Sequence, residues 1–284
     1  MANFHVIAGA DEAAPPPVVH DIGAPELKDA LRKGLEDFKE MPTHLAFIGL
    51  IYPVLGICLA ALTFSNNAWP LIFPLVSGFA LLGPLAAIGL YELSRRRELG
   101  LDTSWEHLFD VLRSPSLPSI LALGCVLMVI FGVWLATAEV LYTWLYGPMA
   151  PESYTGFLYD VLTTKRGWTM IVLGHLIGLV FAAVAFSISV ISFPLLLDRD
   201  CGVACAVQTS VRTVLMNPKT MGVWALMVAA VLMVGSLPLL VGLAVAMPVL
   251  GHASWHLYRK MVEPPAPEHA RPADLRQSHA SDLS

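Results

Sequence analysis

The sequence predicts an all-α fold: a polytopic membrane bundle of six transmembrane helices, built as three helical hairpins that each follow a cytoplasmic amphipathic helix. Composition is the first observation behind this prediction, because 56% of the residues are hydrophobic, only 14% are charged and the mean hydropathy is +0.66. Soluble chains rarely combine these values. The second observation is that an amphipathic segment followed by a long apolar stretch occurs three times along the chain.

Each amphipathic segment ends shortly before a proline, and two of the three segments share their spacing. Before Pro218, apolar residues recur at helical spacing and comprise Val203, Val207, Val211 and Val214. Before Pro42, an apolar set stands at the same distances from its proline and comprises Leu27, Leu31, Leu35 and Phe38. Before Pro115 the pattern slips by one residue and comprises Leu101, Trp105, Leu108 and either Val111 or Leu112. Connectors of any multispan protein can be amphipathic, but the shared spacing favours three repeats, at about 23–91, 100–197 and 202–260.

Four apolar stretches are each long enough to cross a bilayer core, which needs about 20 helical residues. They lie at about 45–64, 69–91, 118–145 and 168–197. The stretch 219–257 is too long for one span and barely long enough for two. A turn at Gly235–Pro238 would divide it, because a proline inside a helix removes a backbone hydrogen bond. The sequence therefore predicts six spans.

The distribution of charge predicts the orientation of the chain. With six spans and both termini in the cytoplasm, 15 of the 17 Lys and Arg residues lie on the cytoplasmic side, and only Lys165 and Arg166 lie outside. Positive charge is enriched on the cytoplasmic side of membrane proteins. Residues 1–22 and 263–284 are rich in Pro, Ala, Ser and charge, which predicts disordered cytoplasmic tails around a membrane domain at 23–262.

Three strings near the ends of the apolar stretches resemble one known family. They are YELSRR at Tyr91–Arg96, FPLLLDRD at Phe193–Asp200 and PVLGHASWHLYRK at Pro248–Lys260. The chain resembles the domain-of-unknown-function 2189 family of bacterial predicted integral membrane proteins from roughly residue 20 to residue 262. This resemblance implies a polytopic protein of the bacterial inner (cytoplasmic) membrane and implies no particular activity.

Histidines supply the candidates for a metal site. His252 and His256 are four residues apart and therefore share one helical face, which can present two imidazoles to a metal or haem. His44, at the end of the first span, is a candidate third ligand. The alternative interpretation is that these residues anchor the helix at the membrane interface.

Charged residues at the inner ends of the second and fourth spans predict a cytoplasmic girdle of ion pairs between repeats. The residues concerned are Glu92, Arg95, Arg96, Asp198 and Arg199. Exposed ion pairs contribute only about 0–1 kcal/mol. A structural role is the preferred interpretation, although the gate of a transporter would use the same residue types.

Glu139 and His175 are the two ionisable residues that lie furthest inside the apparent spans. Each lies roughly 9–10 Å from the outer end of its span at 1.5 Å per residue. A carboxylate in hydrocarbon is costly, so the matched depths raise the hypothesis of an intramembrane polar pair. The alternative is that Glu139 reaches water in the outer interface while His175 hydrogen-bonds to a backbone carbonyl.

The sequence carries no phosphate-binding loop, nucleophile elbow or HExxH motif, so we expect neither an enzyme nor a bound cofactor. The expected partners are the lipid bilayer and other membrane proteins, and no basic patch indicates nucleic acid. We expect a non-enzymatic accessory or scaffold for other membrane components. The alternative is a small-solute or metal-ion transporter, which would need a polar cavity near the midplane.

Overall fold

The computed structural model describes residues 17–41, 69–149, 151, 153–237 and 241–264, and these residues form helices joined by loops, with one isolated β-bridge between Val19 and Val262. The prediction of an all-α fold is confirmed for this part of the chain. The predicted first span at 45–64, the loop at 65–68 and His44 lie outside the described residues. The chain divides into two compact units, one containing residues 84–123 and 187–264 with the N-terminal segment, the other containing residues 69–83 and 124–186.

Eleven α-helices occur in the described residues. They are α1 (Ala24–Glu40), α2 (Ile72–Phe79), α3 (Gly83–Ala86), α4 (Ile88–Glu98), α5 (Leu117–Tyr146), α6 (Tyr154–Thr163), α7 (Lys165–Ser189), α8 (Ser192–Asp198), α9 (Gly202–Met216), α10 (Pro218–Ser236) and α11 (Leu243–Met261). A 3₁₀ helix at Trp105–Arg113 lies between α4 and α5, and short 3₁₀ turns at Trp69–Leu71 and Ala80–Leu82 flank α2.

Three helical segments in the described residues are long and apolar enough to cross a membrane: Leu117–Tyr146, Lys165–Asp198 and Pro218–Ser236. The first two coincide with the predicted spans at 118–145 and 168–197. The second of them contains a turn, because α7 ends at Ser189 and α8 begins at Ser192.

The predicted span at 69–91 is not one continuous helix. Short 3₁₀ and α-helical pieces follow one another from Trp69 to Ala86, and α4 then begins at Ile88. Pro70, Pro74 and Pro84 account for these breaks, because each proline lacks the backbone N–H that continues a helix. Apolar composition identified this stretch, but proline spacing determines its local structure.

The stretch at 219–257 forms two helices, with α10 ending at Ser236 and α11 beginning at Leu243. Two glycines let the helices approach each other at this turn. A Cβ atom on Gly242 would lie 2.7 Å from the carbonyl oxygen of Gly235, and one on Gly235 would lie 3.1 Å from the Cβ of Ala246. The division predicted near Gly235 therefore coincides with a close helix–helix contact.

The predicted apolar faces of α1 and α9 coincide with their buried faces only at Leu27. In α1 the buried residues are Leu27, Ala30, Gly34 and Asp37, while Leu31 is half-buried and Leu35 is exposed. In α9 the buried residues are Gly202, Ala206, Thr209, Ser210 and Thr213, and the four valines are half-buried. Small residues allow helix axes to approach closely, so the small face of each helix packs inward and the larger apolar residues lie beside it.

The predicted amphipathic helix before Pro115 is a 3₁₀ helix over residues 105–113. Its Leu108 packs against α4, where a Cβ atom on Gly89 would lie 3.1 Å from the Leu108 side chain. Val111 is buried, whereas Trp105 and Leu112 are exposed. The tighter 3₁₀ turn, with three residues per turn, brings residues 108 and 111 into line and turns Leu112 outward.

The core of the first unit lies where three helices meet. α4, α8 and α11 pack against one another. Their fully buried side chains include Leu90, Leu93, Phe193, Leu195, Leu196, Trp255 and Tyr258. Each connecting helix packs against one of the three: α1 against α11, the 3₁₀ helix against α4, and α9 against α8. This core positions the polar side chains described below.

Residues 17–22, which the sequence places in the N-terminal tail, contact the end of α11 and the start of α10. The His20 N–H donates to the carbonyl of Met261 at 2.8 Å, and the Glu263 N–H donates to Val18 at 3.1 Å. Asn217 accepts from the Ile22 N–H at 3.0 Å. These hydrogen bonds join the N-terminal segment to the C-terminal end of the membrane domain.

Candidate functional site

A buried carboxylate, Asp37, forms the centre of the most connected polar cluster in the described residues. Asp37 follows Ala30 and Gly34 along the small face of α1 and is only 1% exposed. Gly34 has no side chain to separate the helices, so α1 lies close to α11 at Ala253. The same close contact carries Asp37 into the space between α4 and α11.

Four side chains from two helices surround the Asp37 carboxylate. The hydroxyl of Ser94 donates to Oδ2 at 2.5 Å, and Nε2 of His256 lies 2.9 Å from the same oxygen. The guanidinium of Arg97 pairs with Oδ1. Nδ1 of His252 lies 2.8 Å from the Ser94 oxygen and 3.9 Å from Asp37. We call these five residues the Asp37 cluster; they connect α1, α4 and α11.

Opposing effects act on the pKa of Asp37. Burial raises the pKa of this carboxyl, and the hydrogen bonds from His256 and Ser94 lower it. The lowering effects are larger together than the effect of burial. The pKa of Asp37 therefore lies below its usual value. The carboxylate is charged at neutral pH, and Nε2 of His256 is the protonated nitrogen that donates to it.

The Asp37 cluster contains Ser, His and Asp, but it is not arranged as a hydrolase triad. A triad places the imidazole between the serine hydroxyl and the carboxylate, so that the imidazole removes the hydroxyl proton. Here Ser94 lies between the carboxylate of Asp37 and the imidazole of His252. Ser94 is 1% exposed and His252 is fully buried.

The two histidines proposed as metal ligands both face Asp37. Their four-residue spacing places His252 and His256 on the side of α11 that contacts α1 and α4. Among the residues that the structure describes, no group of three or more His, Cys, Asp and Glu side chains is arranged to hold a metal ion. The spacing is explained by the hydrogen bonds to Ser94 and Asp37.

A second polar cluster joins the ends of α4, α8 and α11. Asp198 accepts a 2.7 Å hydrogen bond from the hydroxyl of Tyr258 and lies 3.4 Å from the guanidinium of Arg259. Arg259 also pairs with Glu98 at 3.0 Å, and Glu98 accepts from the indole of Trp255 at 3.1 Å. Asp198 and Glu98 therefore bind the end of α11 to the ends of both other core helices.

The remaining girdle residues form pairs of different kinds. Arg95 and Glu92 make a buried two-point ion pair at 2.8 and 2.9 Å within α4, so this pair does not join two predicted repeats. Arg96 donates to the carbonyl of Asp102 at 2.6 Å and approaches Asp110 at 3.3 Å, which connects α4 to the 3₁₀ helix.

Arg199 lies 4.0 Å from its neighbour Asp198 and donates to the backbone carbonyl of Glu263 at 2.5 Å. This second contact joins α8 to the segment that follows α11. Arg199 therefore contributes to the girdle mainly through a backbone acceptor, which a charge pattern does not reveal.

The two clusters border a polar cleft of about 450 Å³ in the first unit. Its charged lining residues come from α1, α4 and α11 and include Lys33, Glu36, Asp37, Arg97, Glu98 and Arg259. Side chains of both charges line the cleft, Arg97 and Arg259 pair with carboxylates, and the lining residue Lys260 pairs with Asp29. The cleft therefore lacks an unpaired excess of either charge among these residues.

Comparison with known proteins identifies a family that part of the chain resembles. Residues 72–198 match the family model described as predicted integral membrane protein (DUF2189). The resemblance to DUF2189 is confirmed over residues 72–198 and stays a prediction for the rest of the range 20–262. The match covers the YELSRR string and most of FPLLLDRD, whereas the string at 248–260 lies beyond it. No curated protein and no solved structure matches the chain. The chain is an integral membrane protein with apolar transmembrane helices.

The DUF2189 match includes Glu139 and His175, which the structure does not join by a hydrogen bond or ion pair. Nδ1 of His175 lies 2.7 Å from the backbone carbonyl of Ile171, and its ring lies 5.4 Å from the ring of Phe73. Glu139 is exposed on α5. The contact of His175 with a backbone carbonyl is the one given by the alternative to an intramembrane pair, while the place of Glu139 in the outer interface stays a prediction.

Sequence reasoning missed Asp37, Ser94 and Glu98, which hold the two clusters together. Asp37 had a detectable signal, because it continues the spacing of Leu27, Ala30 and Gly34 on one face of α1. Ser94 lies in the recognised string YELSRR and Glu98 lies two residues beyond it, but nothing in this part of the sequence indicates which residues their side chains contact.

Proposed function

We propose that this DUF2189 protein is a six-span protein of the bacterial inner membrane with both termini in the cytoplasm. Three spans correspond to long apolar helices, and the remaining three would be residues 45–64, residues 69–91 and α11. α11 belongs to a helical hairpin with α10, which supports its assignment as the last span. The polar clusters would then lie at the cytoplasmic ends of the spans, where positive charge is enriched.

Cyclic packing supports the proposal of three repeats. Each connecting helix contacts the helix that closes the preceding repeat, and α1 contacts the helix that closes the third. Such an arrangement is expected of a pseudo-threefold bundle. Buried residues also stand at equal distances from their prolines: Ala30 and Ala206, Gly34 and Ser210, and Asp37 and Thr213. The connecting helices would lie on the cytoplasmic membrane surface.

We further propose that the protein is a non-enzymatic accessory or scaffold for other membrane components. The observation that carries this proposal is that the spans leave most of their apolar surface uncovered while the polar residues are held in closed clusters. Only 28%, 33% and 17% of the residues in the apolar windows of the three spans are buried within the chain. The uncovered surface is available to lipid and to transmembrane helices of partners.

A small-solute or metal-ion transporter is the alternative function. Transport requires a polar pathway along the spans, and the buried ion pairs of the described residues lie at the ends of α4, α8 and α11 instead. The polar cleft beside α1 is the one observation that favours this alternative, since a cytoplasmic vestibule would have a similar lining.

Crosslinking in native membranes tests the scaffold proposal. We expect a photo-crosslinking residue at Leu226, which is 72% exposed on α10, to capture a membrane protein in constant stoichiometry. The same residue at Arg113, which lies in the 3₁₀ helix, is the matched control for non-specific capture. Absence of any stoichiometric partner, together with solute uptake by reconstituted vesicles, would favour the transporter.

The proposed topology makes a separate prediction. A fusion of alkaline phosphatase after Met261 should be inactive, because the enzyme folds only outside the cytoplasm, and a fusion in the loop after Gly147 should be active. Expression of both fusions is measured by immunoblotting. Strong phosphatase activity of the fusion after Met261 would place the end of α11 outside the cytoplasm. That result would contradict the six-span count.

A further inference from the structure

α6 is a short helix with two different faces, inserted between the spans α5 and α7. One face packs on the end of α5: the ring of Phe157 lies 5.9 Å from Tyr142 and 5.3 Å from Tyr146, and Val161 is buried. The other face is apolar and exposed. Leu158, Tyr159 and Leu162 have 44%, 71% and 53% of their surface exposed. Their spacing of one, three and four residues places them on one side of the helix.

Specific contacts fix α6 against the span ends. The Ser153 hydroxyl caps the helix by accepting from the Gly156 N–H at 3.0 Å, and Arg166 pairs with Asp160 at 2.9 Å. The turn into α7 is tight, since a Cβ atom on Gly167 would lie 2.2 Å from the carbonyl oxygen of Val161. The exposed apolar face therefore has a defined orientation relative to both spans.

Exposed tryptophans mark the ends of both spans beside α6, and the indole of Trp168 donates to the carbonyl of Leu162 at 3.1 Å. Trp144 near the end of α5 is 70% exposed, and Trp168 near the start of α7 is 55% exposed. Tryptophan and tyrosine are enriched where a membrane meets water, because their rings have an apolar body and a polar edge. α5 has 30 residues and is about 45 Å long, which matches a bilayer including its headgroups. Its end therefore lies at headgroup depth.

We propose that α6 lies in the membrane interface, with Leu158, Tyr159 and Leu162 inserted into the boundary between headgroups and acyl chains. The partner of this surface is the lipid bilayer, because the surface adjoins Trp168 at the start of α7 and exposed tryptophans mark the ends of both spans. Asp160 and Arg166 pair on another side of the helix, at headgroup level. A helix in this position fixes the depth of the α5–α7 hairpin and prevents the hairpin from sliding along the membrane normal.

Fluorescence quenching in lipid vesicles tests this placement. All four natural cysteines are first replaced, and single cysteines at Leu158, Leu162 and Thr163 are labelled with an environment-sensitive dye. Thr163 is exposed on the same helix and lies about 100° from Leu162 and about 140° from Leu158 around the helix axis, beyond Tyr159 at the edge of the face, so it is the control for insertion depth. Nitroxide lipids and aqueous iodide are the two quenchers, in vesicles of phosphatidylethanolamine and phosphatidylglycerol.

We expect nitroxide lipids to quench the probes at Leu158→Cys and Leu162→Cys at least about twofold more strongly than the probe at Thr163→Cys, with the opposite order for iodide. Two positions on the face guard against a variant that does not fold. Equal iodide quenching at all three positions would overturn the proposal, because the face would then be in water. Protection of Leu162→Cys from both quenchers would also overturn it, because protein would then cover the face.

Discussion

Asp37→Ala is expected to destabilise the protein by about 3–5 kcal/mol, the usual cost of removing one partner from a buried ion pair. The substitution removes the acceptor for Ser94, Arg97 and His256 at once. These donors lie between α1, α4 and α11, where water does not easily replace the carboxylate. The free energy of unfolding, measured by titration of mixed micelles with dodecyl sulfate, reports the loss.

Asp29→Ala is the matched control on the same helix. Asp29 pairs with Lys260 at 2.6 Å, but both side chains are partly exposed, at 29% and 23%. An ion pair in this setting contributes about 0–1 kcal/mol. Equal losses from Asp29→Ala and Asp37→Ala would contradict the central role of Asp37, since both changes remove one carboxylate from α1.

Acid should remove the contribution of the Asp37 charge in the wild type. The pKa of Asp37 is lower in the folded protein than its usual value, so its contribution is fully present above the unfolded pKa and is lost as pH falls through the folded pKa. The relevant range is below about pH 4. The stability difference between the wild type and Asp37→Asn should therefore shrink between pH 6 and pH 3. A difference that stays constant would show that folding does not lower the pKa of Asp37, and a difference that grows in acid would show that Asp37 is uncharged in the folded protein.

Gly34→Ala is expected to destabilise the contact between α1 and α11 by about 1–3 kcal/mol, the usual cost of overpacking. The added Cβ would lie 2.6 Å from the backbone nitrogen and 2.7 Å from the Cα of Ala253. These backbone atoms do not move away by rotating a side chain, so α1 must shift. The shift would also lengthen the hydrogen bonds of Asp37, one turn further along α1.

Gly222→Ala in α10 is the control for the general effect of adding a methyl group. No heavy atom lies within 4 Å of a Cβ built on Gly222. Replacing glycine by alanine in an open helix position stabilises by about 0.5–1 kcal/mol. The two substitutions should therefore have opposite signs in the same unfolding assay. A stabilising Gly34→Ala would show that the close contact with Ala253 does not form.

Proline and glycine patterns determined local structure at particular points of the chain. Pro70, Pro74 and Pro84 explain the short helices after residue 69, although the apolar composition of this stretch suggested one continuous span. Gly100 and Gly202, the residues from which two predicted connectors begin, both have positive φ, at 69° and 74°. Glycine adopts this conformation at little cost, so the boundaries there could be predicted from the residue type.

Hydrophobic periodicity identified Leu27 on the inward face of α1 but missed the small residues that form most of the inward faces of α1 and α9. In water, a large apolar side chain is stabilised only by burial in the protein, so periodicity marks the core. Beside a membrane, leucine and valine are equally stable against lipid, and close helix packing selects small residues instead. Ala30, Gly34, Ala206 and Ser210 therefore lie inside, while Leu35 is exposed and Val207 is half-buried.

The sequence by itself determined that the chain is a helical membrane protein, because long apolar segments must satisfy their backbone hydrogen bonds internally and do so as helices. It also determined where α5, α7 and α10 lie. Tertiary structure alone decided that Asp37, on α1, meets Ser94, His252 and His256, which lie 57 to 219 positions away in sequence. The physical reason is that a carboxylate tolerates burial only where several donors converge, and that convergence depends on how α1, α4 and α11 pack.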